Sequence, residues 1–156
     1  AQNCQLEVPE ESIEDGINYV RRTFSPRNGA FTYQGGGRGT PSMRTAGIVS
    51  LMAMGANKSE EDRERIDQSG EFLLKFDPGS GSHFYYQSYY LATAANMLGG
   101  EYREDFLKRL QKELIKLQNK EGDFRKHSGY DGGVYATSFA IICLAVRYQY
   151  LPIYQE

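Results

Sequence analysis

Tyr85, Tyr86, Tyr89 and Tyr90 stand close together in a segment that carries no charge. On a helix, Tyr85 and Tyr89 share one face and Tyr86 and Tyr90 the next. Lining a cavity, one such pair gives an apolar ligand a wall with phenolic handles. The ring faces would also stabilise a cation by about 0.5–2 kcal/mol each. The alternative use of the same residues is to fill the space between helices, with their hydroxyls bonded to loop backbone. Tyr135, in the last uncharged segment, extends the set. Arg44 is the only charge between residues 40 and 55. It calls for a counter-charge, either Asp131 or a carboxylate of a neighbouring loop, or else for a ligand anion. Tyr85, Tyr86, Tyr89, Tyr90, Tyr135, Arg44 and Asp131 therefore form the candidate ligand-binding set.

No catalytic group stands out beside them. His83 and His127 have no Ser, Cys or acid at a telling spacing, and read as surface residues. Asp131 stands alone among glycines, and Asp77 sits in a turn beside Pro78. The run Gly35-Gly36-Gly37 precedes an apolar helix without the Lys-Ser/Thr that a phosphate loop needs, and Arg38 in that loop reads as solvated. Cys4 and Cys143 make neither a disulfide framework nor a zinc spacing, and Cys143 reads as a small core hydrophobe. No metal and no cofactor is expected, and the compartment stays open. Eighteen Lys and Arg against twenty Asp and Glu, mixed along the chain, give no basic face for nucleic acid. The uncharged stretch over residues 83–100 holds Gln87, Ser88, Thr93 and Asn96, which argue for burial in protein and against a membrane span.

The elements that must position these residues follow from the distribution of charge. Residues 83–100 and 133–146 contain no Asp, Glu, Lys or Arg, whereas residues 58–77 and 101–121 each carry eleven. An all-round apolar helix must be buried, and a charged amphipathic one covers it. The alternation predicts inner apolar helices screened by outer charged ones. Ile13, Ile17, Val20 and Phe24 form one stripe on a first, outer helix that Pro9 opens. Thr40 as N-cap and Pro41 after it open a second helix, which Gly55 closes. Ser59, with Asp62 as supporting acid, opens a third that runs to about Phe76, with Ile66, Leu73 and Phe76 inward. Pro78-Gly79-Ser80-Gly81 is a turn. A fourth helix covers 84–98. A fifth, 101–119, places Phe106, Leu107, Leu110, Leu114 and Leu117 on one side, and a sixth covers 134–147. No window alternates with a period of two, so the chain reads as all-α.

The pattern repeats. Residues 42–55 align with 86–99 at a period of 44, and Thr137 in the sixth helix matches Thr45. Each unit is a charged helix, a glycine-rich loop and an apolar helix. Before the sixth helix stands Gln118-Asn119-Lys120-Glu121-Gly122-Asp123-Phe124, a Q-x-x-x-G-x-F motif, and Asn28-Gly29-Ala30-Phe31 is a degenerate copy. The motif resembles the QW-type repeat of squalene and terpene cyclases and of protein prenyltransferase β-subunits. The run from His83 to Tyr90 and the ending from Val134 to Gln155 resemble the C-terminal end of bacterial prenyltransferase/squalene oxidase repeat proteins.

What the resemblance implies is an α/α-toroid segment of three helical hairpins in a single domain, 1–156, that forms the C-terminal part of a larger ring. The chain starts without Met and shows no signal peptide, consistent with an excised or processed piece. Gln118, Gly122, Phe124, Gly29 and Phe31 take structural roles in this reading: Gln bonds exposed helix-end carbonyls, Gly permits the turn and Phe plugs between hairpins. The Asp-rich acid motif of the cyclases is missing. The zinc ligands of the prenyltransferases fall on Phe84, Tyr86 and Ala136, which cannot bind zinc. The expectation is a non-catalytic binding module that presents an aromatic concave surface to an apolar, isoprenoid-like or peptide ligand, to the rest of its toroid or to a second copy of the chain. The alternative is a part of an isoprenoid cyclase or prenyltransferase whose catalytic residues lie outside this chain.

Overall fold

A computed structural model describes residues 6–34, 36–81, 83–124 and 133–148. The protein is all-α: the described residues form six helices and one hairpin of two-residue strands. Two compact units divide the described residues, one running to Gly70 and including Tyr148, the other spanning Glu71–Arg147.

In the first unit, α1 spans Glu10–Thr23, with Glu10 and Glu11 in its first turn and Arg21 and Arg22 in its last, each matched to the helix dipole. Its stripe of Ile13, Ile17 and Val20 is only half-buried, and no residue of α1 is fully enclosed. Phe24 is not part of that helical stripe. Pro26 forces the residue before it into extended backbone, so Phe24–Ser25 become β1, antiparallel to β2 at Ala30–Phe31. Strands of two residues are too short to show alternation in the sequence.

The helix α2, Pro41–Ala53, starts as expected, the Thr40 hydroxyl accepting from the Met43 amide at 3.2 Å, and Gly55 turns left-handed after it with φ of 73°. Gly47 is required by contact. A Cβ there would lie 2.1 Å from Cγ of Phe31, so the buried ring of Phe31 rests directly on the α2 backbone. The third helix, α3, covers Glu60–Gly70 and packs on α2. It stops short of the expected Phe76: residues Glu71–Leu74 tighten into a 3₁₀ turn. Nor is Asp62 a capping acid, because its side chain is fully buried against two arginines.

In the second unit, α4 spans Phe84–Leu98. His83 at its N-cap adopts φ of 56°, and Gly99 ends it with φ of 71°. Ten of its residues are buried. The turn Tyr102–Phe106 is a π-helical widening that leads into α5, Leu107–Lys116, whose Leu107, Leu110 and Leu114 point inward. The last helix, α6, spans Gly133–Ala145 and packs chiefly on α4. The core joins Phe84, Tyr85 and Leu91 of α4 to Phe106, Leu110 and Leu114, with Ala136, Ala140 and Cys143 from α6.

The charge pattern misleads on α6. Although uncharged throughout, it buries only Ala136, Ala140 and Cys143, while Val134 is 84% and Ile141 56% exposed. Its small residues Ala136, Ala140 and Cys143 are enclosed, Phe139 and Leu144 pack half-buried against the core, and Val134 and Ile141 are left on the surface.

Candidate functional site

The sequence Phe84-Tyr85-Tyr86-Gln87-Ser88-Tyr89-Tyr90 makes about two turns of α4, and its register separates the four tyrosines. Tyr85 is not on an open wall. It is fully buried, edge-on to Phe84 at 5.1 Å between centroids, within the hydrophobic core. Tyr86 and Tyr89 meet Phe139 of α6, and Tyr90 packs on both of them.

There they form a continuous edge-to-face cluster. Tyr86 lies 5.1 Å and Tyr89 5.0 Å from Tyr90. Phe139 of α6 sits 5.7 Å from Tyr89 and 6.3 Å from Tyr86, and Tyr135 is 4.8 Å from Phe139. Such pairs are worth about 0.5–1.5 kcal/mol each beyond their buried area. They make the α4–α6 contact a stiff aromatic surface. Tyr86 and Tyr135 remain 38% and 39% exposed at its edge. Spacings this short leave no gap between the rings for a cation, so the surface offers ring edges and phenols at its rim and not a cage.

Burial, then a hydrogen bond with Tyr86 and the neighbouring Tyr86 and Tyr89 hydroxyls, push the Tyr90 pKa up to about 12. Tyr90 therefore keeps its proton throughout the physiological range. The surface can give and accept hydrogen bonds, but it carries no charge of its own.

The remaining candidates fall elsewhere. Arg44 belongs to the first unit, where its guanidinium donates to the carbonyls of Gly39, Gly29 and Asn28 at 3.4, 3.2 and 3.3 Å. Desolvation lowers its pKa. Through these bonds Arg44 holds the backbone of the hairpin loop that bears Gly29, and they are not its full set of interactions. Asp131 and His127 lie outside the described residues, as does Cys4.

The motif residues form two turns. Gly29 adopts φ of 53°, and Phe31 behind it is buried on α2. In the second unit, Gly122 has φ of 93°, and the Gln118 side-chain amide donates to its carbonyl at 3.0 Å. Gln118 thereby closes its own turn; the expected bond to a helix-end carbonyl is not the one it makes here. Its backbone bridges to Phe124, which is buried, and the Phe124 amide donates to the Thr137 hydroxyl of α6 at 3.2 Å.

Several important residues escaped the sequence. Phe139, the centre of the aromatic cluster, carried a usable signal, being one helical turn from Tyr135. Asp62 carried none: Arg21 reaches it from α1, 41 residues away, at 2.6 Å, and Arg65 at 2.9 Å. Arg109 is similar, leaving α5 to donate to the carbonyls of Leu73, Leu74 and Phe76 at 2.9, 3.0 and 2.6 Å. Among the described residues no group of His, Cys, Asp and Glu is placed to hold a metal ion, and no helix is long and apolar enough to cross a membrane. Burial pushes the Cys143 thiol up, far from thiolate chemistry. Comparison with protein-family models, with curated proteins and with solved structures finds no match.

Proposed function

We propose that this chain is an interaction module whose working surface is the aromatic face of α4 and α6. Its ligand is apolar, either an isoprenoid-like chain or a hydrophobic peptide segment. The observation that carries this reading is the interlocked set of Tyr86, Tyr89, Tyr90, Tyr135 and Phe139, held rigid by α4–α6 packing yet open at Tyr86 and Tyr135. An apolar body with phenolic edges binds hydrophobic ligands while fixing their orientation with a few hydrogen bonds. The two glycine turns that bury Phe31 and Phe124 beneath apolar helices support the further reading of a toroid-type helical repeat, in which such turns have structural and not catalytic roles.

The test is titration of the protein with a polyprenyl alcohol, a polyprenyl diphosphate and an apolar peptide, followed by calorimetry. Tyr86→Ala and Tyr135→Ala are each expected to weaken binding about three- to tenfold. Affinity unchanged from the parent in both variants, or no binding of any of the three probes, would remove this surface as the site. Release of a cyclised or transferred product would replace the binding reading with an enzymatic one.

A further inference from the structure

The side of α6 away from the core carries a seam. Val134, Ser138, Ile141 and Ala145 follow one another at spacings of four, three and four, which places them in one line roughly 16 Å long. Val134 is 84% and Ile141 56% exposed, Ser138 is exposed and Ala145 half-buried. Large and small residues alternate along the line.

That alternation is complementary to itself in one orientation only. A second helix of the same sequence laid antiparallel, about a two-fold axis between Phe139 and Ala140, sets Val134 against the partner's Ala145 and Ser138 against the partner's Ile141. Each large side chain then meets a small one, and large-into-small layering is what close packing needs. A parallel arrangement sets Val134 on Val134 and Ile141 on Ile141, leaving gaps at the small residues.

Charge agrees with the antiparallel choice. Residues 133–146 carry no Asp, Glu, Lys or Arg, so nothing repels across the seam. Antiparallel helices also bring opposite dipole ends together. Arg147, at the C-terminal end, is bonded within its own copy to both carboxylate oxygens of Glu104 at 2.8 and 2.9 Å, so its charge is already matched where it would approach the partner's positive helix end.

We propose that α6 docks against α6 of a second copy of this chain in an antiparallel, two-fold pair. Specific, stable interfaces of standard size engage about 20–30 residues a side and about 800 Å² per partner. A four-residue seam is a small fraction of that, so the pair is weak and forms by mass action at high concentration. This inference goes beyond the ligand reading and does not depend on it, because the seam and the tyrosine cluster are changed by different substitutions.

Sedimentation velocity from micromolar to near-millimolar protein is expected to show the weight-average coefficient rising toward that of a dimer. Ile141→Lys should abolish the rise, and Lys112→Ala on α5 should leave it unchanged. Orientation is read by mild oxidation in a Cys4→Ser background. Chains carrying Ser138→Cys, mixed with chains carrying Ile141→Cys, should form the mixed covalent dimer, whereas Val134→Cys chains alone should not. A monomer at every concentration would overturn the proposal and leave the face to a ligand or another protein. Self-linking of Val134→Cys, or an assembly indifferent to Ile141→Lys, would overturn it as well.

Discussion

Asp62 is the residue on which the first unit depends most directly. Its carboxylate is fully buried and shared between Arg21 and Arg65, whose side chains are 36% and 19% exposed. Burial alone would raise its pKa, but the hydrogen bond and charge of Arg21, with those of Arg65, outweigh it and hold the group below the ordinary carboxylate range. A depressed folded-state pKa contributes stability that is complete above the unfolded value, about 3.9, and is lost as pH falls through the lower folded value. Thermal melts should therefore be insensitive to this group above about pH 5 and decline below about pH 4, with the decline reduced in Asp62→Asn. That variant should cost about 1–3 kcal/mol at neutral pH by urea unfolding, a range kept modest because both arginines retain access to water. An unchanged melt for Asp62→Asn would show the triad to be inert. The sequence placed Asp62 in the first turn of a helix and so suggested a cap; only the fold brings Arg21 to it. Ser88 shows the opposite imbalance. Its hydroxyl is buried with no hydrogen-bond partner, on the side of α4 that meets the core. Ser88→Ala removes an unpaid desolvation cost, so it should leave stability equal or raise it by about 1 kcal/mol, and a loss above that in the same urea experiment would mean the hydroxyl has a role.

At the scale of elements, two contacts show what the sequence revealed and what it hid. The helix starts were legible because they are local. Thr40 and Pro41 announce α2, Gly55 and Gly99 lie just past helix ends, and the leucine period of α5 needs no partner to be read. The ends made by long-range bonds were not legible. The segment Glu71–Leu74 and the turn after it are held by Arg109, which supplies donors to three carbonyls there from α5. Arg103 does the same for Asn96 at the end of α4, through Nε at 3.1 Å and Nη2 at 2.7 Å. Part of the charge that the sequence assigned to a solvated outer face thus serves to satisfy helix-end carbonyls. Gly47 gives the sharpest element-scale prediction. The neighbour that Gly47 admits is the Phe31 ring of the motif turn, 16 residues earlier in the chain. Gly47→Ala must displace that ring, and overpacking of this kind costs about 1–3 kcal/mol or more. Phe31→Leu in the same background should restore part of the loss. A chevron or urea curve in which Gly47→Ala is neutral would mean Phe31 does not sit on α2.

For the molecule as a whole, the two-layer reading holds for α4 and fails for α6, and the reason is one of side-chain size. Absence of charge told the sequence that both helices avoid being soluble outer faces, but it did not tell how much of each surface is covered. α4 buries ten residues because neighbours meet it on several sides, α5 and α6 among them, while the fully buried face of α6 is narrow, being Ala136, Ala140 and Cys143, with Phe139 half-buried beside it against Tyr86 and Tyr89 of α4. That narrow face nonetheless gives a reporter for the second unit. Cys143 is 5% exposed and its thiol is pushed up by burial, so a thiol reagent can reach it only when the unit opens. In a Cys4→Ser background, labelling should be slow in native buffer and complete within mixing time in denaturant. When opening and closing are fast, its rate follows the free energy of opening. Leu110 is 1% exposed in the same core, and Leu110→Ala should cost about 2–5 kcal/mol. Since each 1.4 kcal/mol is a factor of ten, the variant should label roughly 30- to 3,000-fold faster than the parent. Lys112→Ala, two residues on and on the solvent side of the same helix, should label at the parent rate. If Leu110→Ala leaves the rate unchanged, α6 opens by itself, and the packing of Cys143 against the α4–α5 core does not govern its protection.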